Sequence, residues 1–264
     1  MTMIVGMGRA HEYALMTNDA MVFYLQPDGT EIAPVPTSNI RRKVRAVSDH
    51  AIAGVGGCPS IGDDFFQRLE PRLRAGDTLA AVQATAREVV GELLADDARL
   101  RGTAYVLRDT LFPLRAWRAS IFDQFAIQLV GFDEYGETHV MQWSPRVGCD
   151  DWMERTGPPG QLTFGVPYGV DAKDAVPFFD EFYASQEELT LPDAFSFAFG
   201  AHRILGTKYP ERLGPKVYAS ILRWRGHGVP PELIEFNLNR EGGHDLDQFS
   251  AIHESLNLRS RVPL

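Results

Sequence analysis

Residues 39–57, NIRRKVRAVSDHAIAGVGG, decide the fold. They read as a basic segment carrying Lys43, a strand ending at Ala51-Ile52-Ala53, a turn of bare backbone at Gly54, Gly56 and Gly57, and a helix from about Ile61. A lysine on one strand and a glycine turn at the end of the next place a cation near backbone N–H groups at a helix entrance. Such parts stabilise developing negative charge, provided that a nucleophile arrives from elsewhere. The opening Met1-Thr2-Met3-Ile4-Val5-Gly6 offers one hydroxyl for that role, on Thr2.

Upstream of this stretch, residues 3–7 and 13–18 predict two strands joined by Gly8-Arg9-Ala10-His11-Glu12, followed by a third over Met21 to Gln26. Pro27-Asp28-Gly29-Thr30 is a hairpin turn by composition, and Ile32 to Pro36 is extended but broken by proline. Downstream, Ile61, Phe65, Phe66, Leu69 and Leu73 form a helical stripe with Asp63 and Asp64 in its first turn, and Pro71 is expected to kink or end the helix. A second helix starts after Gly76-Asp77, with Thr78 as its N-cap, and runs through Leu94.

Residues 101–123 follow, partly extended over Ala104 to Arg108. Phe125 to Phe132 and His139 to Trp143 flank the hairpin signal Asp133-Glu134-Tyr135-Gly136. A short strand over Leu162 to Val166 precedes a second helical pair at 171–184 and 191–205, then strands over Lys216 to Arg223 and Glu232 to Asn239, then a polar tail at 240–264. Strands, two helices, strands, two helices and strands give an α+β class, because alternating βαβ units are absent.

The net charge of −9 argues against a general nucleic-acid or membrane partner, and Arg41, Arg42 and Arg45 read as a solvated strand face. No run approaches the roughly 18 consecutive apolar residues of a membrane span, and the first residues lack the order of a signal peptide. These readings predict a cytoplasmic protein. Two cysteines, Cys58 and Cys149, make no disulfide framework. His244, Asp245, Asp247 and His253 could hold a metal by composition, but a polar tail is a poor setting for one, so neither metal nor cofactor is expected. GVGGCPSIG lacks the Gly-Lys-Ser/Thr closure of a phosphate loop.

Four motifs in order, TMIVG, the strand leading to Asn18-Asp19, Lys43 in RRKVRAV, and AIAGVGG, resemble the β-subunits of the proteasome and the peptidase subunit of the bacterial two-component protease. The resemblance covers roughly Thr2 to Leu100 and continues more weakly after Phe125. It implies a single N-terminal-nucleophile hydrolase domain over 1–264, with a four-layer αββα sandwich, an insertion at 101–123 and a C-terminal extension at 240–264. It also implies a peptide or amide substrate, an assembly of identical subunits in a ring, and a regulatory partner whose nature the chain does not reveal. Removal of Met1 would free the α-amine of Thr2, whose intrinsic pKa of roughly 7.7 to 8.0 suits a proton acceptor at neutral pH. By the same resemblance Lys43 favours the deprotonated hydroxyl and an acidic residue orients that lysine. Asp19 has the chemistry for this role, Asn18 the family's spacing, and Asp19 is the choice. The backbone N–H of Gly54 becomes the oxyanion donor.

The chain departs from the pattern further on. The stretches Thr163 to Tyr168 and Lys208 to Pro215 lack the serine and aspartate that support the nucleophile in that family, with Glu211 a weak substitute for the acid. A catalytically silent, partner-binding subunit of the same fold is therefore the alternative to a threonine-type hydrolase. An amidase that does not act on peptides is a third reading. His202 reads as a surface or satisfied core histidine.

Overall fold

Ile4–Arg9 (β1) and Tyr13–Asp19 (β2) pair as the first hairpin, with Ile4 opposite Asn18 and Arg9 opposite Tyr13. Both strands are buried almost throughout, which is why their sequences read as continuous apolar runs. Gly8 belongs to β1 and not to the turn, which is closed by His11 at a φ of 59°.

The structure is a computed structural model that describes residues 3–19, 24–25, 31–32, 43–56, 59–95, 126–143, 153–156, 162–164, 189–208, 216–239 and 245–261. Thr2, the Pro27 to Thr30 turn, both cysteines, the expected insertion at 101–123, the expected helix at 171–184 and Glu211 lie outside these residues.

Tyr24–Leu25 (β3) and Glu31–Ile32 (β4) form a short antiparallel ribbon. Val44–Ser48 (β5), Ala51–Gly56 (β6), Ala126–Phe132 (β7), Thr138–Trp143 (β8) and Met153–Thr156 (β9) make a five-stranded antiparallel sheet in that order. Leu162–Phe164 (β10), β1, β2, Lys216–Arg223 (β11) and Glu232–Asn239 (β12) make a second, in the order β10-β1-β2-β11-β12. The β7–β8 turn is held by Asp133, whose Oδ1 accepts from the N–H groups of Tyr135 and Glu137, both at 2.9 Å, with Gly136 at a φ of 87°.

Pro59–Leu69 (α1) starts earlier than the sequence suggests, so Asp63 and Asp64 fall beyond its first turn. Pro71 ends it in a 3₁₀ turn over Glu70–Arg72, as a missing N–H requires. Leu79–Ala95 (α2) is capped by Thr78, whose Oγ1 accepts from Ala81 N–H at 3.3 Å. Leu191–Lys208 (α3) and Asp245–Arg261 (α4) complete the helices among the described residues.

Three apolar clusters hold these elements. Met3, Tyr13, Leu15 and Ile221 of one sheet meet Phe195 and Phe199 of α3 and Leu256 of α4. Ala53, Leu129 and Trp143 of the other meet Phe65 of α1 and Val82 and Val89 of α2. Ile4, Ala14 and Met16 meet Val44, Ile52, Val130 and Val140 between the sheets.

The expected class is thereby corrected. The described residues give a mixed α/β arrangement of two five-stranded antiparallel sheets and four α-helices, in place of an α+β, four-layer αββα sandwich. That layer order depended on a second helical pair at 171–205, of which 191–208 is described. A helix beside α3 comes from the tail that was read as polar: Phe249 of α4 stacks on Phe199 at 5.0 Å, and Leu256 is fully buried. No helix among the described residues is long and apolar enough to cross a membrane.

Candidate functional site

β2 ends at Asp19 and β5 begins just after Lys43, and the two side chains meet at one end of the sheets. Lys43 is fixed by its own backbone, because its carbonyl accepts from Val55 N–H at 2.9 Å. Its Nζ lies 3.5 Å from both carboxylate oxygens of Asp19. Asp19 Oδ1 also accepts the backbone N–H of Met3 at 2.7 Å, and Asp19 N–H donates to the Met3 carbonyl at 3.2 Å. The residue that follows Thr2 in sequence is thus held from two sides by the residue that binds Lys43.

The pair is taken out of water, with side-chain exposures of 10% for Lys43 and 1% for Asp19. Burial pushes the Lys43 ammonium below its ordinary pKa, and the charge and hydrogen bond of Asp19 pull part of the way back. A lysine in this state is a cation that loses its proton more readily than one in water.

Of the two readings at the end of β2, the structure brings Asp19 to Lys43. Asn18 is fully buried and its Nδ2 donates to the Asp19 carbonyl at 2.7 Å. Gly54 stands elsewhere than expected: it lies inside β6, opposite Val44 on one side and Gln128 on the other, and the strand continues to Gly56. A Cβ at Gly54 would come within 2.6 Å of Met16 Sδ and 3.2 Å of Val44 Cγ2, so close packing between the sheets already accounts for a glycine there.

His202 is 1% exposed, with its Nε2 3.0 Å from Thr17 Oγ1. Its spacing from Ala198 and Phe199, on the packed face of α3, is the signal that marks it as a core position. Among the described residues no group of three His, Cys, Asp or Glu side chains could hold a metal ion.

Sequence reading passed over Gln128 and Gln142, buried at 5% and 8% exposure with amide atoms that have no hydrogen-bond partner among the described residues. Leaving a buried polar group unpaired costs about 1–3 kcal/mol. Their one visible signal was a single glutamine at an alternating position of an apolar strand.

No family model and no curated protein sequence matches the chain. Solved structures do. An Anbu (Gly-1) mutant from Hyphomicrobium sp. strain MC1 is similar at a TM-score of 0.61 and 10% identity, covering 98% of this chain and 97% of its own. The chain has the fold of the Anbu proteins. Anbu from Yersinia bercovieri, described as an ancestral beta-subunit, gives a TM-score of 0.58 at 12% identity over 99% and 98% of the two chains. The Anbu complex from Pseudomonas aeruginosa, described as a helical assembly, gives 0.59 at 12% over 100% and 98%.

This corrects the kinship that the motifs implied. The three structures above are Anbu rather than a proteasome β-subunit proper or the peptidase subunit of the two-component protease; at 10% and 12% identity they show a proteasome-like fold without a specific member. The physical reason lies in the motifs themselves. The motifs are short, and a buried first strand with a lysine near an acid does not by itself separate one protein of similar fold from another.

Proposed function

We propose that the chain is a threonine-type amide or peptide hydrolase whose nucleophile is Thr2 after removal of Met1. The observation that supports this reading most is the hold of Asp19 on both Met3 N–H, at 2.7 Å, and Lys43 Nζ, at 3.5 Å. Lys43 favours the alkoxide of Thr2 electrostatically, Asp19 orients Lys43, and the freed α-amine takes the proton; Gly54, paired on both sides inside β6, is left out of the oxyanion role. The amide C–N bond breaks as the α-ammonium returns its proton to the leaving amine, and water then hydrolyses the acyl-enzyme ester, freeing the acid and the Thr2 hydroxyl. The substrate is a peptide or another amide.

The helical assembly of the Pseudomonas aeruginosa Anbu complex supports self-association of this chain as well. Negative-stain images of the purified protein distinguish a closed ring from an open helix, and a monomer rejects both.

Intact mass before and after incubation with a peptide epoxyketone tests the chemistry, with Thr2→Ala and Lys43→Ala as controls. Loss of Met1 and one adduct, absent from Thr2→Ala and slowed in Lys43→Ala, is the expected result. A chain that keeps Met1 and takes no adduct would overturn it. That outcome favours the second reading, a silent scaffold subunit, for which the absence of aspartate and serine between Lys208 and Pro215 already speaks.

A further inference from the structure

Met3 is fully buried, in the core that Phe195 and Phe199 of α3 and Leu256 of α4 make with the first sheet. Both of its main-chain groups are taken up by one residue. Its N–H donates to Asp19 Oδ1 at 2.7 Å, and its carbonyl accepts from Asp19 N–H at 3.2 Å. Ile4, Val5 and Met7 beyond it are buried too, and β1 is paired with β2 along its whole length, so the strand offers no slack to let Met3 out.

Covalent geometry carries this constraint to the peptide bond ahead of Thr2. Consecutive Cα atoms lie about 3.8 Å apart, and one N–Cα and one C–N bond add about 1.5 and 1.3 Å, so the Met1 carbonyl carbon stands no more than about 6 Å from Met3 Cα in any conformation. A peptide is slender enough to approach a hydroxyl so near a buried residue. A folded aminopeptidase is not, because it hydrolyses the terminal bond in a recess of its own surface, and Met3 has to leave the core for that bond to arrive there.

We propose that the bond between Met1 and Thr2 is a processing site of the unfolded chain alone, and that the Asp19 clasp on Met3 closes it on folding. The step is a hydrolysis: water adds across the amide, Met1 leaves as the free amino acid, and Thr2 gains its α-amine. A chain that folds first keeps Met1, and the nitrogen needed as proton acceptor stays an amide. The inference deepens the functional reading above by fixing when its nucleophile can be made, and its test reads mass alone, without requiring Thr2 to react.

Full-length chain that retains Met1, expressed under an inhibitor of methionine aminopeptidase and then freed of it, is incubated folded with the purified enzyme, beside the peptide Met-Thr-Met-Ile-Val-Gly. Loss of Met1 is followed by intact mass. Withdrawing Met3 gives up a buried side chain and a hydrogen bond to a charged group, so the folded chain should be processed at least about a hundredfold more slowly than the peptide. Asp19→Ala should recover at least about tenfold of that loss. Gly131→Ala, strained against the His50 carbonyl at the opposite end of the sheets, should recover none of it. Processing of the folded wild type at the peptide's rate overturns the proposal, as does loss of Met1 with no enzyme added or equal acceleration by the two substitutions. Where Asp19→Ala does not fold, hydrogen exchange at Met3 N–H in the native wild type decides: slowing by a similar factor is expected, and exchange at the rate of a free peptide overturns the clasp. A processed chain that takes no epoxyketone adduct counts against the Thr2 nucleophile and leaves the clasp standing.

Discussion

Asp19 serves the chain start and Lys43 with one carboxylate. Removing it altogether breaks a buried pair and a backbone acceptor together, so Asp19→Ala should lose about 3–5 kcal/mol in urea unfolding. Asp19→Asn keeps an acceptor for Met3 N–H and removes the charge that steadies Lys43. It should retain most of the stability and lose most of the epoxyketone labelling rate, and equal losses in both measurements would refute the division of labour. The lowered pKa of Lys43 fixes a second expectation. Labelling should rise with pH as the freed α-amine of Thr2 loses its proton near its intrinsic value of roughly 7.7 to 8.0. It should fall again as Lys43 deprotonates, on a limb that lies below the ordinary lysine range because burial favours the neutral amine. A pH–rate profile with its descending limb at or above that range would remove Lys43 from the mechanism.

Glycines in strands mark where backbones approach, and they differ in what they touch. A Cβ on Gly131 of β7 would stand 2.1 Å from the His50 carbonyl oxygen, a backbone atom that cannot step aside. The obstacle at Gly54 is the sulfur of Met16, near the end of a flexible side chain. Gly131→Ala should therefore lower the melting temperature far more than Gly54→Ala, and the reverse order would refute the packing account of Gly54. The same contrast explains what could be read beforehand. β11, β12, α2 with its Thr78 cap and the Asp133 turn follow from local period and turn chemistry, and they form where the sequence placed them. Gly54 was read as a turn because, within its own segment, a glycine needed for contact with Met16 looks no different from one needed for a bend. α4 was missed for a related reason: its buried stripe of Phe249, Ile252 and Leu256 keeps helical spacing but is diluted by polar neighbours, and its partners Phe195 and Phe199 stand far away in sequence. At the site, the meeting of Asp19 with Lys43 could be anticipated from motif order. The pairing of buried Gln128 with Gln142 could not, since it exists only once β7 and β8 are in register.

For the whole molecule, α4 belongs to the core and should behave so. Truncation after residue 240 would strip Phe249 and Leu256 from α3 and its sheet, and the shortened chain should bind a hydrophobic dye and unfold at lower urea; an unchanged urea midpoint would show α4 to be dispensable. The two sheets also differ in how they draw on the chain. One takes its strands from a continuous part of the sequence, 44–156, whereas the other joins β1 and β2 to strands no earlier than Leu162. β11, which flanks β2, begins at Lys216, so at ordinary rates of translation roughly 10 to 40 seconds separate the synthesis of the two strands. Until Leu162 is reached the hairpin carrying Met3 and Asp19 lacks its neighbours on both sides, and until Lys216 is reached it still lacks β11 beside Asp19. On the ribosome, the strand that covers the clasp on Met3 consequently arrives late, and the amino end stays open to processing enzymes until β11 has been made.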